Sequence, residues 1–333
     1  MFKIIVSALL FLALSTQSES RFDELECDIK KIPGACAYFG DLYAEEESRI
    51  YDLKRAMNFY DKACALNHSY SCVSLGLIYE KRDHGVPNYA KALELYKRAC
   101  TLKNGYGCVD VGVIYEKGLG VSVDYAKAAD FYQKSCEFKN GNGCAYLGTL
   151  YEAGRGFKQD NQQALKLYQQ GCELKSGYGC RNAGILLANG RGVTTDYKQA
   201  SESFAKACNL NIGYACFSLG LLYSNGLGVS QDNQKAFTLY KRACDLNDGS
   251  GCTNVGYFYE KGLGVQQSLP QALNHYHKGC DLNNDAACYN LGFMYKTGLG
   301  GMLDKDKSFK YYTKSCELGN QKSCEIVKLF KSE

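Results

Sequence analysis

No stretch of this 333-residue chain carries a block of one charge, and none is apolar for long enough to span a bilayer. The formal net charge is +4, with acids and bases interspersed throughout, so nothing tracks a phosphate backbone and nucleic acid is excluded as a partner. The longest apolar run, residues 4–14, is about half of what a membrane span needs. Tryptophan is absent, and there are only three prolines and four histidines. Metal-ligand spacing is missing as well: zinc sites favour about two to four residues between paired ligands, and no two cysteines are that close. Neither a metal nor another cofactor is expected.

What the chain does have is 18 cysteines, 35 glycines and 27 tyrosines, placed at fixed offsets. Cysteines pair with seven residues between them. First members fall at Cys64, Cys100, Cys136, Cys172, Cys208, Cys244, Cys280 and Cys316. Second members fall at Cys72, Cys108, Cys144, Cys180, Cys216, Cys252, Cys288 and Cys324. The period of 36 residues marks a stack of one small unit, which grows by adding neighbours and counts as one structural domain. An even, paired cysteine count suits disulfides in an exported protein. The N-terminus agrees: a basic start at Met1-Phe2-Lys3, the apolar run, then small and polar residues to Ser20 read as a signal peptide over 1–20. Residues 21–333 then form the repeat array, eight units with half-repeats at both ends, in a secreted or periplasmic, monomeric protein.

Residues 108–136, CVDVGVIYEKGLGVSVDYAKAADFYQKSC, show one unit. Val111, Gly112, Ile114 and Tyr115 make an apolar stripe at helical spacing, ended by Gly118 and Gly120 where left-handed backbone is wanted. This predicts helix A, about ten residues long. Asp124 stands at the N-cap of helix B, whose buried stripe is Ala128, Phe131, Tyr132 and Cys136. The cap recurs at Asp52, Asp160, Asp196, Asp232 and Asp304, and at Ser268. Gln163, Gln199 and Gln271, three residues after their caps, predict capping boxes. A loop such as residues 101–107 leads to the next helix A, its leucine expected to tuck beneath the turn.

Gly112 and its equivalents from Gly40 to Gly292 fall mid-helix, where glycine costs roughly 1 kcal/mol against alanine. Close packing is the expected compensation, with Ala128 and its equivalents in helix B as the opposing small surface. Tyr115, Tyr132 and their equivalents are core knobs by this reading, not a ligand box. The paired cysteines lie at the end of helix B and the start of the following helix A, so their sulfurs meet if those helices fold back on one another. Eighteen cysteines allow many connectivities; the local one is expected because the period enforces locality. Each short closed loop contributes roughly 2.5 kcal/mol in the chain-entropy model. Cys27 and Cys36, with one extra residue around Pro33-Gly34, form the least regular pair.

The string LGxxYExGxGVxxDYxKAxxxYxKAC, nearly whole at 111–136 and 219–244, resembles the Sel1-like repeat, a relative of the tetratricopeptide repeat. With the cysteine pairs and signal peptide, the chain is similar to the Helicobacter cysteine-rich proteins from Cys27 to its C-terminus. The resemblance implies an all-α fold, a right-handed αα-superhelix (solenoid) of 36-residue hairpins, each stapled by a disulfide. It also implies slow β-lactamase or penicillin-binding activity, ascribed to the family. The chain departs from the common unit at Leu187 and Phe204, which replace tyrosines, at Asp83-His84-Gly85, at Ser268-Leu269-Pro270, and at Lys328 in the last half-unit.

Serine β-lactamases of the common fold need a serine with a lysine three residues on, then S-D-N and K-T-G elements. Ser203 with Lys206 and Lys296-Thr297-Gly298 match the first and last, but both sit where the repeat dictates, and no S-D-N occurs. No catalytic residue is assigned. His275 and His277, two apart on helix B, make a poor metal pair and read as surface residues. The stronger candidate is a surface. In related αα-solenoids helix A lines the concave face, and positions two, five and nine after the second cysteine form its outward strip. There lie Asn182, Asn254 and Asn290, then Asn189 and Asn225, with Tyr146, Tyr257 and Phe293 among them. Asparagine amides offer donor and acceptor to an extended backbone while aromatic faces anchor side chains, and Leu77, Val113, Ile185 and Leu221 add apolar variation. The expected partner is a peptide, a protein or a peptidoglycan-derived ligand, β-lactams included.

Overall fold

The computed structural model describes residues 27–47, 49–81, 85–301 and 303–330. The expected signal peptide lies outside them, as do Asp83 and His84. Every regular element among the described residues is a helix, and the chain divides into two compact units, one up to Lys158 and one from Gln159. The first holds α1 (Pro33–Ala44), α2 (Leu53–Ala65), α3 (Ser69–Glu80), α4 (Tyr89–Thr101), α5 (Gly105–Lys117), α6 (Tyr125–Glu137) and α7 (Gly141–Ala153). The second holds α8 (Asn161–Glu173), α9 (Gly177–Asn189), α10 (Tyr197–Asn209), α11 (Gly213–Asn225), α12 (Asn233–Asp245), α13 (Gly249–Lys261), α14 (Leu269–Asp281), α15 (Asp285–Thr297), α16 (Lys305–Glu317) and α17 (Gln321–Phe330). Odd-numbered helices are A helices and even-numbered ones B helices, each unit being a tandem stack of antiparallel hairpins.

The A helices start earlier than expected. In α5 the cap is Asn104, whose Oδ1 accepts from the N–H groups of Tyr106 and Gly107 at 2.9 and 3.2 Å. Asn140, Ser176, Asp248 and Asn284 do the same elsewhere, and His68 does it through Nδ1. The loop between B and A is therefore Leu102-Lys103-Asn104 and not residues 101–107. Its middle residue is left-handed, Lys103 at φ 61°. The loop leucines are half-buried as expected, with Leu210 exposed. The A helices from α5 to α15 end at left-handed glycines such as Gly118, φ 69°, whereas α3 ends at an extended Lys81.

The B helices start where expected, Asp124 accepting the Lys127 N–H at 3.0 Å. The capping boxes do not form. At two of the three, the cap's own N–H donates to a carbonyl nine residues back in helix A, Asp196 to Leu187 at 3.0 Å and Ser268 to Tyr259 at 2.9 Å, as Asp124 does to Tyr115 at 2.9 Å. The glutamine oxygen three residues on is left no cap amide to accept, and Gln199 turns its Nε2 to Asp196 Oδ2 at 2.8 Å. The diverted bond ties the end of helix A to the start of helix B. Pro270 sits in the first turn of α14, where its missing N–H does no harm.

What fills the space above the mid-helix glycines is a ring, not an alanine. A Cβ on Gly112 would lie 2.4 Å from the Tyr132 ring, and Gly76, Gly184, Gly220 and Gly256 meet Tyr96, Phe204, Tyr240 and Tyr276 in the same way. Ala128 and its equivalents are fully buried, one turn from the ring on the same helix. A buried phenol needs a hydrogen-bond partner. Tyr96 donates to Glu80 at 2.8 Å, Tyr132 to Glu116 at 2.7 Å and Tyr276 to Glu260 at 2.8 Å. Where Ala188 stands in place of that acid, the ring is Phe204 and has no hydroxyl to satisfy.

All nine expected disulfides are present, Cys27–Cys36 included, with Cα–Cα separations of 4.4–4.8 Å. Each later bridge joins a B helix to the following A helix, as Cys100–Cys108 joins α4 to α5. The A–B hairpin itself carries no bridge: α5 and α6 are held by the Tyr132 ring on Gly112 and by the Asp124–Tyr115 bond.

Candidate ligand-binding surface

In the second unit, the strip two, five and nine residues beyond the second cysteine runs over α9, α11, α13 and α15. Its middle row is apolar throughout: Ile185 and Leu221 are half-buried, Tyr257 and Phe293 are 43% and 44% exposed. Helix α11 touches α13, and α13 touches α15, so the row continues from Leu221 to Phe293. Exposed apolar side chains in register on adjacent helices are what a groove for an extended chain requires.

The asparagines beside this row differ from one another. Asn182 does not face solvent: it is 8% exposed and its Oδ1 accepts from Arg181 Nε at 3.1 Å. Asn254 spends its amide on the Ser250 carbonyl at 2.9 Å, and Asn225 on the Leu221 carbonyl at 2.8 Å. These two keep their oxygens. Asn290, half-buried, makes no side-chain hydrogen bond within the described residues and so offers donor and acceptor together, as does the exposed Asn189 at the far edge.

Tyr146 belongs to the first unit, where it is half-buried and stacks on Tyr132 with centroids 5.3 Å apart. It covers core more than it presents a face. The first-unit strip includes Ser74 and Leu77 on α3 with Lys81 at its C-cap, then Asp110, Val113 and Lys117 on α5. Leu77 is 43% exposed. Ser74, Leu77 and Lys81 also wall a cavity of about 190 Å³ closed by Ala44, Glu46, Tyr51, Leu53, Tyr60 and Ile78.

Asp110 escaped the sequence reading. It is a carboxylate at an offset that is neutral in every other A helix. Burial, and then the negative charge of Glu80, push its pKa up to about 7. Tyr96, which donates to that Glu80, is pushed far above the usual phenol range by burial and by the same two carboxylates. The usable signal was a departure of one repeat from the rest.

The β-lactamase-like elements stay apart. Ser203 and Lys206 lie on α10 with no hydrogen bond between them, Thr297 Oγ1 donates back to the Phe293 carbonyl at 2.9 Å, and Lys296 lies over the Phe330 ring at 5.9 Å. Each is used locally, and no nucleophile–base contact forms among them. His275 and His277 are half-buried and not freely exposed. His275 stacks on Tyr259 at 5.7 Å, and His277 lies between the hydroxyls of Tyr295 and Tyr311 at 3.3 and 3.2 Å; burial lowers the pKa of both. Among the described residues no three potential metal ligands come together, and no helix is long and apolar enough to cross a membrane.

The Sel1 repeat family model matches residues 34–68, 69–104, 105–137, 141–176, 177–212, 213–248, 249–284 and 285–320. Among solved structures, the chain is similar to a protective antigen present in uropathogenic Escherichia coli strains displaying an SLR fold, at 24% identity and TM-score 0.74, covering 93% of this chain and 67% of that one. A Sel1 repeat protein from Oxalobacter formigenes matches at 19% identity and TM-score 0.70, covering 96% and 93%. Helicobacter pylori cysteine rich protein B is 35% identical over 40% of this chain and 96% of its own, with TM-score 0.33. No curated protein matches the chain. The first two likenesses establish the fold. Each matched segment holds one A helix and one B helix, so the seven bridges from Cys64–Cys72 to Cys280–Cys288 join consecutive repeats, and the chain belongs to the Sel1 repeat family.

Proposed function

We propose that the protein is a disulfide-stapled interaction module that binds an extended peptide, a segment of a partner protein or a peptidoglycan-derived peptide along the exposed strip of its A helices. The inner face in related αα-solenoids is made by these helices. The observation that carries the reading is the apolar row Ile185, Leu221, Tyr257 and Phe293, flanked by the free amide of Asn290. Such a row anchors alternate side chains while amides hold the backbone between them. Nine bridges support work outside the reducing cytosol, and they stiffen the surface so that little order is lost on binding.

The test is binding of fluorescein-labelled peptide and muropeptide libraries to the oxidised protein, compared with Phe293→Ala and Asn290→Ala. Loss of about tenfold in affinity for either variant fits the strip. Unchanged binding for both would retire it. The β-lactamase alternative gains nothing from the geometry of Ser203, Lys206 or Lys296.

A further inference from the structure

We infer that the cavity walled by α3 and by the α1–α2 turn takes the carboxy-terminal apolar residue of a polypeptide. This rests on the A-helix strips binding peptides and names the residue that the first unit's own strip would take. At about 190 Å³ the cavity falls below the ~300 Å³ at which pockets for whole drug-sized ligands begin, a size for one side chain. Its walls include Leu53, Leu77 and Ile78, and its polar groups include Ser74, Glu46 and Lys81. Neither charged group forms an ion pair within the described residues. Lys81 stands on the strip itself, seven residues after Ser74 and four after Leu77, so a chain lying along the strip meets a cation beside an apolar hole. Glu46 stands on the α1–α2 turn.

The last residue of a polypeptide offers what this arrangement needs. Its side chain fills the hole, its carboxylate meets the Lys81 ammonium, and its amide N–H is a donor for Glu46. An internal apolar residue has no carboxylate to give Lys81. A first residue places an ammonium where the strip carries another cation.

The probe is a fluorescein-labelled hexapeptide ending in phenylalanine with a free carboxylate, read by fluorescence polarisation on the intact oxidised chain. The same peptide as its amide, and one ending in serine, are each expected to bind about tenfold weaker. Leu77→Ala and Lys81→Glu alter exposed side chains, and each is expected to weaken the free-acid peptide about tenfold. Lys81→Glu should leave the amide's affinity unchanged, a result that a general loss of structure would not produce. Equal binding of acid and amide overturns the inference, as does indifference to Lys81→Glu, or free phenylalanine competing as well as the peptide. Binding that depends on Phe293 and ignores Leu77 and Lys81 leaves the strip standing and removes this pocket. Failure of every peptide at millimolar concentration removes both.

Discussion

Asp110→Asn should make the protein more stable at neutral pH, and the gain should vanish in acid. In the native state the Asp110 carboxyl keeps its proton to a higher pH than in the unfolded chain, because burial and Glu80 oppose its charge. The native state therefore suffers nothing below about pH 4, loses stability as pH rises, and has lost all it will lose somewhat above pH 7. A rise from 3.8 to about 7 corresponds to about 4 kcal/mol at most; relaxation and water entry bring the expected figure to about 2–4 kcal/mol. Asparagine keeps the shape and removes the charge. Urea unfolding followed by far-ultraviolet circular dichroism, without reductant, should show the midpoint of Asp110→Asn raised by on the order of 1 M at pH 8. At pH 4 the two proteins should agree within about 1 kcal/mol. An equal gain at both pH values, or none at pH 8, would refute the burial and charge argument.

Gly112→Ala tests the ring-on-glycine packing. The substitution favours the helix by up to about 1 kcal/mol, but its Cβ meets the buried Tyr132 ring at 2.4 Å, so a net loss of about 1–3 kcal/mol is expected in the same urea assay. Tyr96→Phe leaves Glu80 without its donor and should lower stability by about 1–2 kcal/mol at pH 8. Replacing Cys100 and Cys108 together by serine should lower it by about 2–3 kcal/mol while the other bridges still form, as a thiol count under denaturing conditions would report. Nitrocefin turnover should stay at the buffer rate for the parent, Ser203→Ala and Lys206→Ala; turnover lost in either variant would revive the serine and lysine as a catalytic pair.

The features legible in the sequence are local ones. Asp124 caps its helix through an N–H three residues on, and Cys100 finds Cys108 across a three-residue loop, so the period alone locates both. The start of helix A was hidden because its cap changes chemistry from repeat to repeat, as Asn104, Ser176, Asp248 or His68, inside a stretch that reads as loop. Two of the capping boxes failed through a contact made in three dimensions, the Leu187 carbonyl taking the Asp196 N–H that Gln199 would have bound and the Tyr259 carbonyl taking that of Ser268. Ala128 and Tyr132 share one face of helix B, and spacing alone does not say which stands over Gly112. The site was harder still. Asn182 and Asn290 hold the same offset, yet Asn182 is buried against Arg181 while the half-buried Asn290 makes no side-chain hydrogen bond within the described residues. Asp110 does not stand out in the repeat pattern because that pattern records what the repeats share, whereas its charge is where one repeat differs.

Within each compact unit, a bridge from each B helix to the next A helix turns soft two-helix pieces into a stiffer stack whose A helices carry the strip. Peptide mapping by mass spectrometry, after thiol blocking and proteolysis without reductant, tests this most directly. The result predicted is nine bridged fragments, from Cys27–Cys36 to Cys316–Cys324, and no blocked thiol. Bridges joining distant repeats, or blocked cysteines within the array, would contradict it.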